Sequence, residues 1–344
     1  MKKFAVLLAF FAVIAGGLAF AQENPLWGKY KSAFIADNGR VEDFGQNRIS
    51  HSEGQGYGML LAVANNDRPV FDKIWMWTRD NMGARKDGLF AWQWGNRENG
   101  DWGPIDFNNA TDGDVLISFA LLKAHKKWGA EEYKTAALPV IKAVRTKLAV
   151  KRWGYTFLLP GYSGFGKDGG TMLNPSYFLF SAYRLFAMFE DKDFWEAVNR
   201  DSMKILYKCH FGRFGLPADW IIFSDGNVSP RDGWGGRYGF DAVRIFYLLS
   251  VENDQSFKDA LGKMLDYYEK AGYIPEWADF KYDSVSLSPA SAGFYSLYAT
   301  AANKIGKTEL AKKLSAEATK KLPTEKDNYY SFSLYLIAAT DALN

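Results

Sequence analysis

Ser50-His51-Ser52-Glu53-Gly54-Gln55-Gly56-Tyr57-Gly58-Met59-Leu60-Leu61 is the stretch on which the fold turns. It reads as a helix start. Ser50 or Ser52 suits the cap of a first turn, Glu53 falls where an acid favours the helix dipole, and Leu60, Leu61 and Val63 supply an apolar face. Each glycine inside a helix costs about 1 kcal/mol relative to alanine. Keeping Gly54, Gly56 and Gly58 therefore predicts that a neighbouring helix or a ligand comes close to this backbone. Glu53 has two readings at this point, an acid that only steadies the helix and an acid that reacts.

Outward from this segment the chain is helical and paired. Apolar spacing of the 3.6 type predicts helices at about 25–36, 53–66, 69–82, 112–128, 131–149, 174–189, 191–209, 241–251, 255–271, 288–303, 306–320 and 328–342. Alternate members begin near 53, 112, 174, 241, 288 and 328, a drifting repeat of helical hairpins. Twelve helices in six hairpins can close into a ring, with one set inside and one outside. The inner set then runs in one direction and its N-termini share a face. An open solenoid is the alternative, but neither end shows a polar capping repeat. Gly- and Trp-rich insertions at 83–111, 151–173 and 211–240 each precede an inner-set helix, so the ring predicts a cleft built from them.

The first 21 residues read as a secretory leader: Lys2 and Lys3, an apolar run from Phe4 to Ile14, then Ala19-Phe20-Ala21 as a small-x-small cleavage site. The run is too short for a spanning helix, and no later stretch resembles one. The expectation is an exported chain, periplasmic or secreted, with one domain over 22–344. Net charge is +3 for the whole chain, which gives no electrostatic reason to propose nucleic acid or an anionic membrane as partner. Cys209 is the single cysteine, so an intrachain disulfide is impossible. His51, His125 and His210 lack ligand-type spacing, so no zinc site and no cofactor are expected. Aromatic content is the outlier, with 12 Trp, 19 Tyr and 26 Phe. Trp92, Trp94, Trp102 and Trp234 sit in Gly-rich loops, where stacking on a neutral ring-shaped ligand would account for them.

Glu53, Asp112 and Asp241 each stand at the start of an inner-set helix. An acid there is ordinarily a cap, but ring closure would gather all three around one opening beside the loop tryptophans. Two carboxyls can hydrolyse a glycosidic bond, one protonating the leaving oxygen and the other activating water. A helix N-terminus lowers a carboxyl pKa, whereas a general acid needs it raised. Desolvation, or repulsion from Asp112 or Asp114, is the expected means of keeping a proton on Glu53.

At these residues the chain resembles glycoside hydrolase family 8. The resembling blocks are Ser52-Glu53-Gly54-Gln55-Gly56-Tyr57-Gly58-Met59, Asn66-Asp67-Arg68-Pro69-Val70-Phe71, Ala110-Thr111-Asp112-Gly113-Asp114, Asn174-Pro175-Ser176-Tyr177 and Asp241-Ala242-Val243-Arg244. The resemblance implies an all-α (α/α)6 barrel of six inner and six outer helices, and inverting endo-hydrolysis of a β-1,4-linked glycan. It implies Glu53 as general acid, Asp241 as base, and Asp112 as the residue that binds and distorts the sugar. Arg244 would orient Asp241 or a sugar hydroxyl. Trp92, Asp114, Tyr177 and Tyr330 would contact substrate, with core packing the other reading of Tyr177, Tyr329 and Tyr330. The similarity is to exported cellulases of cellulose-synthesising bacteria, which implies a monomer acting on β-1,4-glucan, associated with a cellulose-synthesis complex. Chitosan, xylan or mixed-linkage glucan are the alternative substrates, and a non-catalytic glycan-binding protein is the reading from another class. The loop 151–173 departs from the family in lacking a tryptophan platform, for which Tyr162 or Phe165 would substitute.

Overall fold

Outer helices need one apolar stripe, whereas inner helices need apolar or small residues all round. The computed structural model, which describes residues 24–167 and 169–344, sorts its helices in this way. It contains α1 (Pro25–Phe34), α2 (Ser52–Ala64), α3 (Arg68–Met82), α4 (Thr111–Trp128), α5 (Glu131–Leu148) and α6 (Phe180–Ala187). These are followed by α7 (Lys192–Leu206), α8 (Val243–Val251), α9 (Lys258–Ala271), α10 (Ala292–Lys304), α11 (Thr308–Lys321) and α12 (Tyr329–Thr340). The even-numbered helices are buried on nearly every side, as in α2 from Gly54 to Val63. Odd-numbered α3 buries only a stripe, Phe71, Ile74, Trp77, Thr78 and Met82.

The ring is closed. Helix α2 packs on α4, α4 on α6, α8 on α10, α10 on α12, and α12 returns to α2. Between α6 and α8 the contact passes through the 3₁₀ turn Pro175–Tyr177. Helix α1 is the outer partner of α12 rather than of α2, which completes the last hairpin. Tyr57, Leu116, Leu179, Leu248, Leu297 and Leu334, from the six inner segments, meet around a small internal cavity and plug the barrel. This is the (α/α)6 barrel, and the open solenoid is ruled out by the α12–α2 contact.

Helix ends follow local chemistry. Asn24 accepts from the Leu26 N–H at 3.1 Å ahead of Pro25, and Asp67 caps α3 through Val70. Gly129 ends α4 with φ +70°, a conformation that costs glycine nothing. Ser50 and Ser52 do not cap α2. His51 is its N-cap residue without a side-chain bond, the Ser52 N–H donates to the Trp92 carbonyl at 2.9 Å, and both serine hydroxyls are buried. Among the inner helices, α6, α8 and α10 start two or more residues later than the apolar pattern predicts. Residues 174–179 form the 3₁₀ turn and an extended step before α6, Asp241 and Ala242 form a turn before α8, and residues 288–291 are extended around Pro289.

The glycines of α2 serve three different neighbours. A Cβ on Gly56 would lie 2.6 Å from the Leu116 Cβ of α4, and one on Gly54 would lie 2.6 Å from the Tyr329 hydroxyl of α12. On Gly58 it would meet Val41 at 2.9 Å. Close packing against neighbouring helices at Gly54 and Gly56, and against Val41 of the segment after α1 at Gly58, is the reason for all three.

The insertions are not helical. Strand β1 (Ser50–His51) pairs with β2 (Gln93–Asn96), which pairs with β3 (Trp102–Asp106). A hairpin follows, β4 (Ala149–Arg152) with β5 (Tyr155–Leu158). An antiparallel sheet then joins β6 (Gly166–Lys167), β7 (Gly170–Leu173), β8 (Ile221–Ser224) and β9 (Asn227–Pro230), so two insertions remote in sequence become one structure. Strands β10 (Ala278–Asp279) and β11 (Ser284–Val285) make a last short pair. The proposed leader, residues 1–21, lies outside the described residues. Among the described residues no helix is long and apolar enough to cross a membrane.

Candidate active site

Each inner segment delivers its N-terminal end to one cleft of about 830 Å³. Glu53 comes from α2, Asp112 from α4, Tyr177 from the turn before α6, and Asp241 from the turn before α8. Ser291 at α10, and Tyr329 and Tyr330 at α12, complete the circle, while Trp92 and His51 line the wall on the side of the first insertion. The three carboxylates that the period assigned to one opening therefore meet there.

Arg244 organises them. The residue is only 6% exposed. Nη1 donates to Glu53 Oε1 and, at 2.8 Å, to the Tyr57 hydroxyl. Nη2 donates to Asp241 Oδ1 at 2.6 Å and to Ser176 Oγ at 2.7 Å. Asp112 Oδ2 lies 3.9 Å from Nη1. Tyr57 OH donates to Glu53 Oε1 at 3.0 Å. Tyr177 places its ring 5.9 Å from the guanidinium. Such a fork fixes two carboxyls at once, which an ammonium could not do.

The electrostatics differ from the arrangement the sequence suggested. The sequence offered desolvation, or repulsion from a charged Asp112 or Asp114, as the means of holding a proton on Glu53. Instead burial, and next the charge of Glu53 to which it is hydrogen-bonded, push the Asp112 carboxyl itself well above its ordinary value. Burial outweighs the helix N-terminus because Asp112 is only 2% exposed. The Asp241 carboxyl is also raised: desolvation pushes it up, Arg244 pulls it down, and Glu53 adds repulsion.

Asp114 does not reach the cleft. It is fully buried, Oδ1 accepting from the Phe90 N–H at 2.8 Å and Oδ2 from Asn109 Nδ2 at 2.8 Å. Positions i and i+2 of a helix point to different sides, so Asp112 faces the cleft while Asp114 ties the insertion 83–111 to α4. The contact role implied for Asp114 is corrected accordingly. Trp92 lines the cleft and stacks on His51, ring centroids 5.7 Å apart. Tyr330 lines it too, its hydroxyl donating to the Phe240 carbonyl at 2.7 Å. Tyr329 is mostly core, 3% exposed.

Sequence reasoning missed four residues. Asp219, in the third insertion, accepts with one oxygen from the N–H groups of Gly239, Asp241 and Ala242 at 3.0, 3.1 and 2.7 Å. It anchors the Asp241 turn from behind. Burial, and then the Asp241 charge, raise its pKa to about 8. Ser176 and Asn174 brace Arg244 and Asp241 from the turn before α6. Trp220 stands edge-on to Tyr177 at 5.9 Å and stacks flat on Phe165 at 5.8 Å. Phe165 thus backs another aromatic, and Tyr162, 55% exposed, lies under the Arg85 guanidinium. Only the adjacent Asn174-Pro175-Ser176-Tyr177 block carried any local signal for this group.

A barrel whose inner helices aim carboxyls across an aromatic-walled cleft, with an arginine between them, is the architecture of a glycoside hydrolase. The family model described as "Glycosyl hydrolases family 8" matches residues 2–341, and the chain belongs to that family. It is 41% identical over 226 residues to an endoglucanase of Cellulomonas uda, a match covering 65% of this chain and 62% of that one, so it spans just under two thirds of that relative. It is 32% identical over 294 residues to a probable endoglucanase of Novacetimonas hansenii, covering 82% and 84% of the two chains. The crystal structure of a family 8 endoglucanase from Klebsiella pneumoniae superposes with a TM-score of 0.80 at 33% identity, covering 92% of this chain and 99% of that one.

Proposed function

We propose that the chain is an exported, inverting endo-β-1,4-glucanase, with Glu53 as general acid and Asp241 as general base. The observation that carries this reading is the pair of carboxyls held on separate terminal nitrogens of Arg244 within one open cleft. The endoglucanases to which the chain is similar support the substrate class.

In the step proposed, the Glu53 carboxylic acid gives its proton to the glycosidic oxygen, and the C–O bonding pair leaves with that oxygen. A water oxygen bonds to the anomeric carbon from the opposite face, and its proton passes to the Asp241 carboxylate. Both carboxyls then exchange protons with solvent to reset. Asp112, hydrogen-bonded to Glu53 and protonated at higher pH than an ordinary carboxyl, keeps a proton on the acid side. Trp92 and Tyr177 offer ring faces and edges to the sugar. We read residues 22–344 as one catalytic domain behind a leader. It would act as a monomer on β-1,4-glucan in the periplasm or medium, alongside a cellulose-synthesis complex.

Glu53→Gln should abolish hydrolysis of carboxymethyl-cellulose while oligosaccharide binding persists. Retained turnover would remove the acid assignment. The anomer released from cellopentaose, followed by NMR, should be α; a β product would exclude inversion. Reducing-end release from carboxymethyl-cellulose, xylan, chitosan and mixed-linkage glucan separates this substrate from the others.

A further inference from the structure

The third insertion places two adjacent side chains, Asp219 and Trp220, just before β8 and against two residues that line the cleft. Their backbone is held inside the insertion itself. The Asp219 N–H donates to the Arg237 carbonyl at 2.8 Å, and the Trp220 N–H to the Gly235 carbonyl at 2.7 Å. The Trp220 carbonyl accepts from the Arg231 N–H at 2.9 Å. The dipeptide is therefore a fixed point from which both side chains project.

The first N–H groups of a helix lack intrahelical acceptors, and a side chain beside them in sequence ordinarily caps them. Ahead of α8 the acceptor comes from elsewhere. Asp219 Oδ1 takes the N–H groups of Gly239, Asp241 and Ala242, 20 to 23 residues downstream. One of the three belongs to Asp241, so the backbone from which that carboxyl projects is pinned to a single atom. Gly239 admits the cap, since a Cβ there would lie 2.8 Å from Asp219 Oδ2. Rotation of this turn would carry the Asp241 carboxyl off Arg244 Nη2, which it meets at 2.6 Å. Trp220 serves the neighbouring wall. It stands edge-on to Tyr177, whose ring also lies 5.9 Å from the Arg244 guanidinium, and Phe165 backs it by flat stacking.

We propose that Asp219 and Trp220 are positioning residues acting as one brace, Asp219 aiming the Asp241 carboxyl and Trp220 setting the Tyr177 ring beside it. The inference rests on the reading of Asp241 as base. Neither residue exchanges a proton or touches the reacting atoms. Because both stand on one dipeptide, the spacing between the base and the sugar-facing tyrosine is fixed by the insertion rather than by the barrel helices. Asp219 controls the direction of a reacting group, so its loss falls on turnover. Trp220 controls a contact surface, so its loss falls on binding.

Four variants test this on cellopentaose, with circular dichroism at the assay temperature counting the folded chain in each. Asp219→Ala removes the acceptor and should lower kcat about 100-fold, the effect of a misplacement of about 1 Å, with KM within about threefold. Asp219→Asn keeps the acceptor and should recover kcat to within about fivefold of wild type. Gly239→Ala leaves Asp219 in the chain but displaces its carboxyl, and should lower kcat at least about tenfold. Trp220→Leu should raise KM about fivefold with a smaller effect on kcat. The acidic limb of kcat/KM should move to higher pH in Asp219→Ala and Gly239→Ala, because an Asp241 carboxyl turned from Arg244 loses the pull that lowers its pKa. Asp219 is protonated over that limb, its own pKa being about 8, so the shift does not come from deleting its charge. Arg244, Glu53, Asp112, Tyr177 and Tyr330, the other charged and titratable groups facing Asp241, are unchanged in every variant. A purely structural role would leave the limb of the folded fraction where it was. If Asp219→Ala does not fold, Gly239→Ala decides. An unmoved limb, an Asp219→Asn as slow as Asp219→Ala, or a Trp220→Leu with unchanged KM overturns the proposal. Asp241→Asn in the same assay separates the two readings. If it turns over like wild type the base assignment fails, whereas if it is inactive beside a near-normal Asp219→Ala only this inference fails.

Discussion

Arg244 reaches 191 residues back along the chain to Glu53 with one terminal nitrogen, and with the other holds Asp241 at 2.6 Å. Arg244→Lys, with a single point charge, is expected to lower kcat/KM by about 100-fold or more, because one of the two carboxyls loses its direction. Arg244→Met removes the counter-charge altogether. Breaking a buried pair costs about 3–5 kcal/mol, and the lower end is expected here because the Glu53 and Asp241 side chains are 21% and 30% exposed. Melting curves should show a deficit at pH 7 that shrinks at pH 4, because the Asp241 carboxyl, raised by burial, carries less charge there. An equal deficit at both pH values would show that charge is not its origin.

Asp219 makes stability depend on pH. Its folded pKa, about 8, is above the ordinary 3.8. The folded state therefore holds a proton that the unfolded chain gives up. That stabilisation is full below the unfolded value and is lost as pH rises toward about 8. Asp112, raised by burial, and Asp114, raised by burial to about 7, act in the same direction. Asp219→Asn keeps an oxygen for the three backbone donors and removes the ionisation. Its melting temperature should exceed that of wild type at pH 8 and match it near pH 4. The same difference at both pH values would contradict the assignment.

Alanine is a better helix former than glycine by about 1 kcal/mol, so Gly56→Ala would stabilise an exposed helix. Here the new Cβ would sit 2.6 Å from Leu116 Cβ, and overpacking costs about 1–3 kcal/mol. A net fall of several degrees in melting temperature is expected. A rise would mean that α2 and α4 separate freely.

Trp92 contributes a cleft wall stacked on His51 and takes no part in proton transfer. Trp92→Ala should raise KM for cellopentaose about tenfold, equivalent to about 1.4 kcal/mol of binding, with kcat changed far less. A larger effect on kcat than on KM would place Trp92 in transition-state contact instead.

The outer helices were legible because burial writes a 3.6 period into them and the inner ones because they are apolar or small nearly all round, and Glu53, Asp112 and Asp241 were legible because each stands where such a run opens. Arg244 came with the family resemblance of the block Asp241-Ala242-Val243-Arg244. Asp114, two residues from Asp112, is turned to the other side of α4, since i and i+2 do not share a helix face. Asp219, Trp220 and Asn174 left little trace, since their roles arise between β7, β8 and the α8 turn, which are far apart in sequence. Local pattern carries no information about which loops will pair.

Periodicity, glycine spacing and the recurrence of acids at helix starts were properties of the chain itself, because each depends on neighbours within one or two turns. Which carboxyl is buried and which guanidinium joins the two sides of the cleft were settled only when the ring closed. Desolvation and charge coupling act through space, and they set the Asp112, Asp241 and Asp219 carboxyls against values that the residues alone would have had.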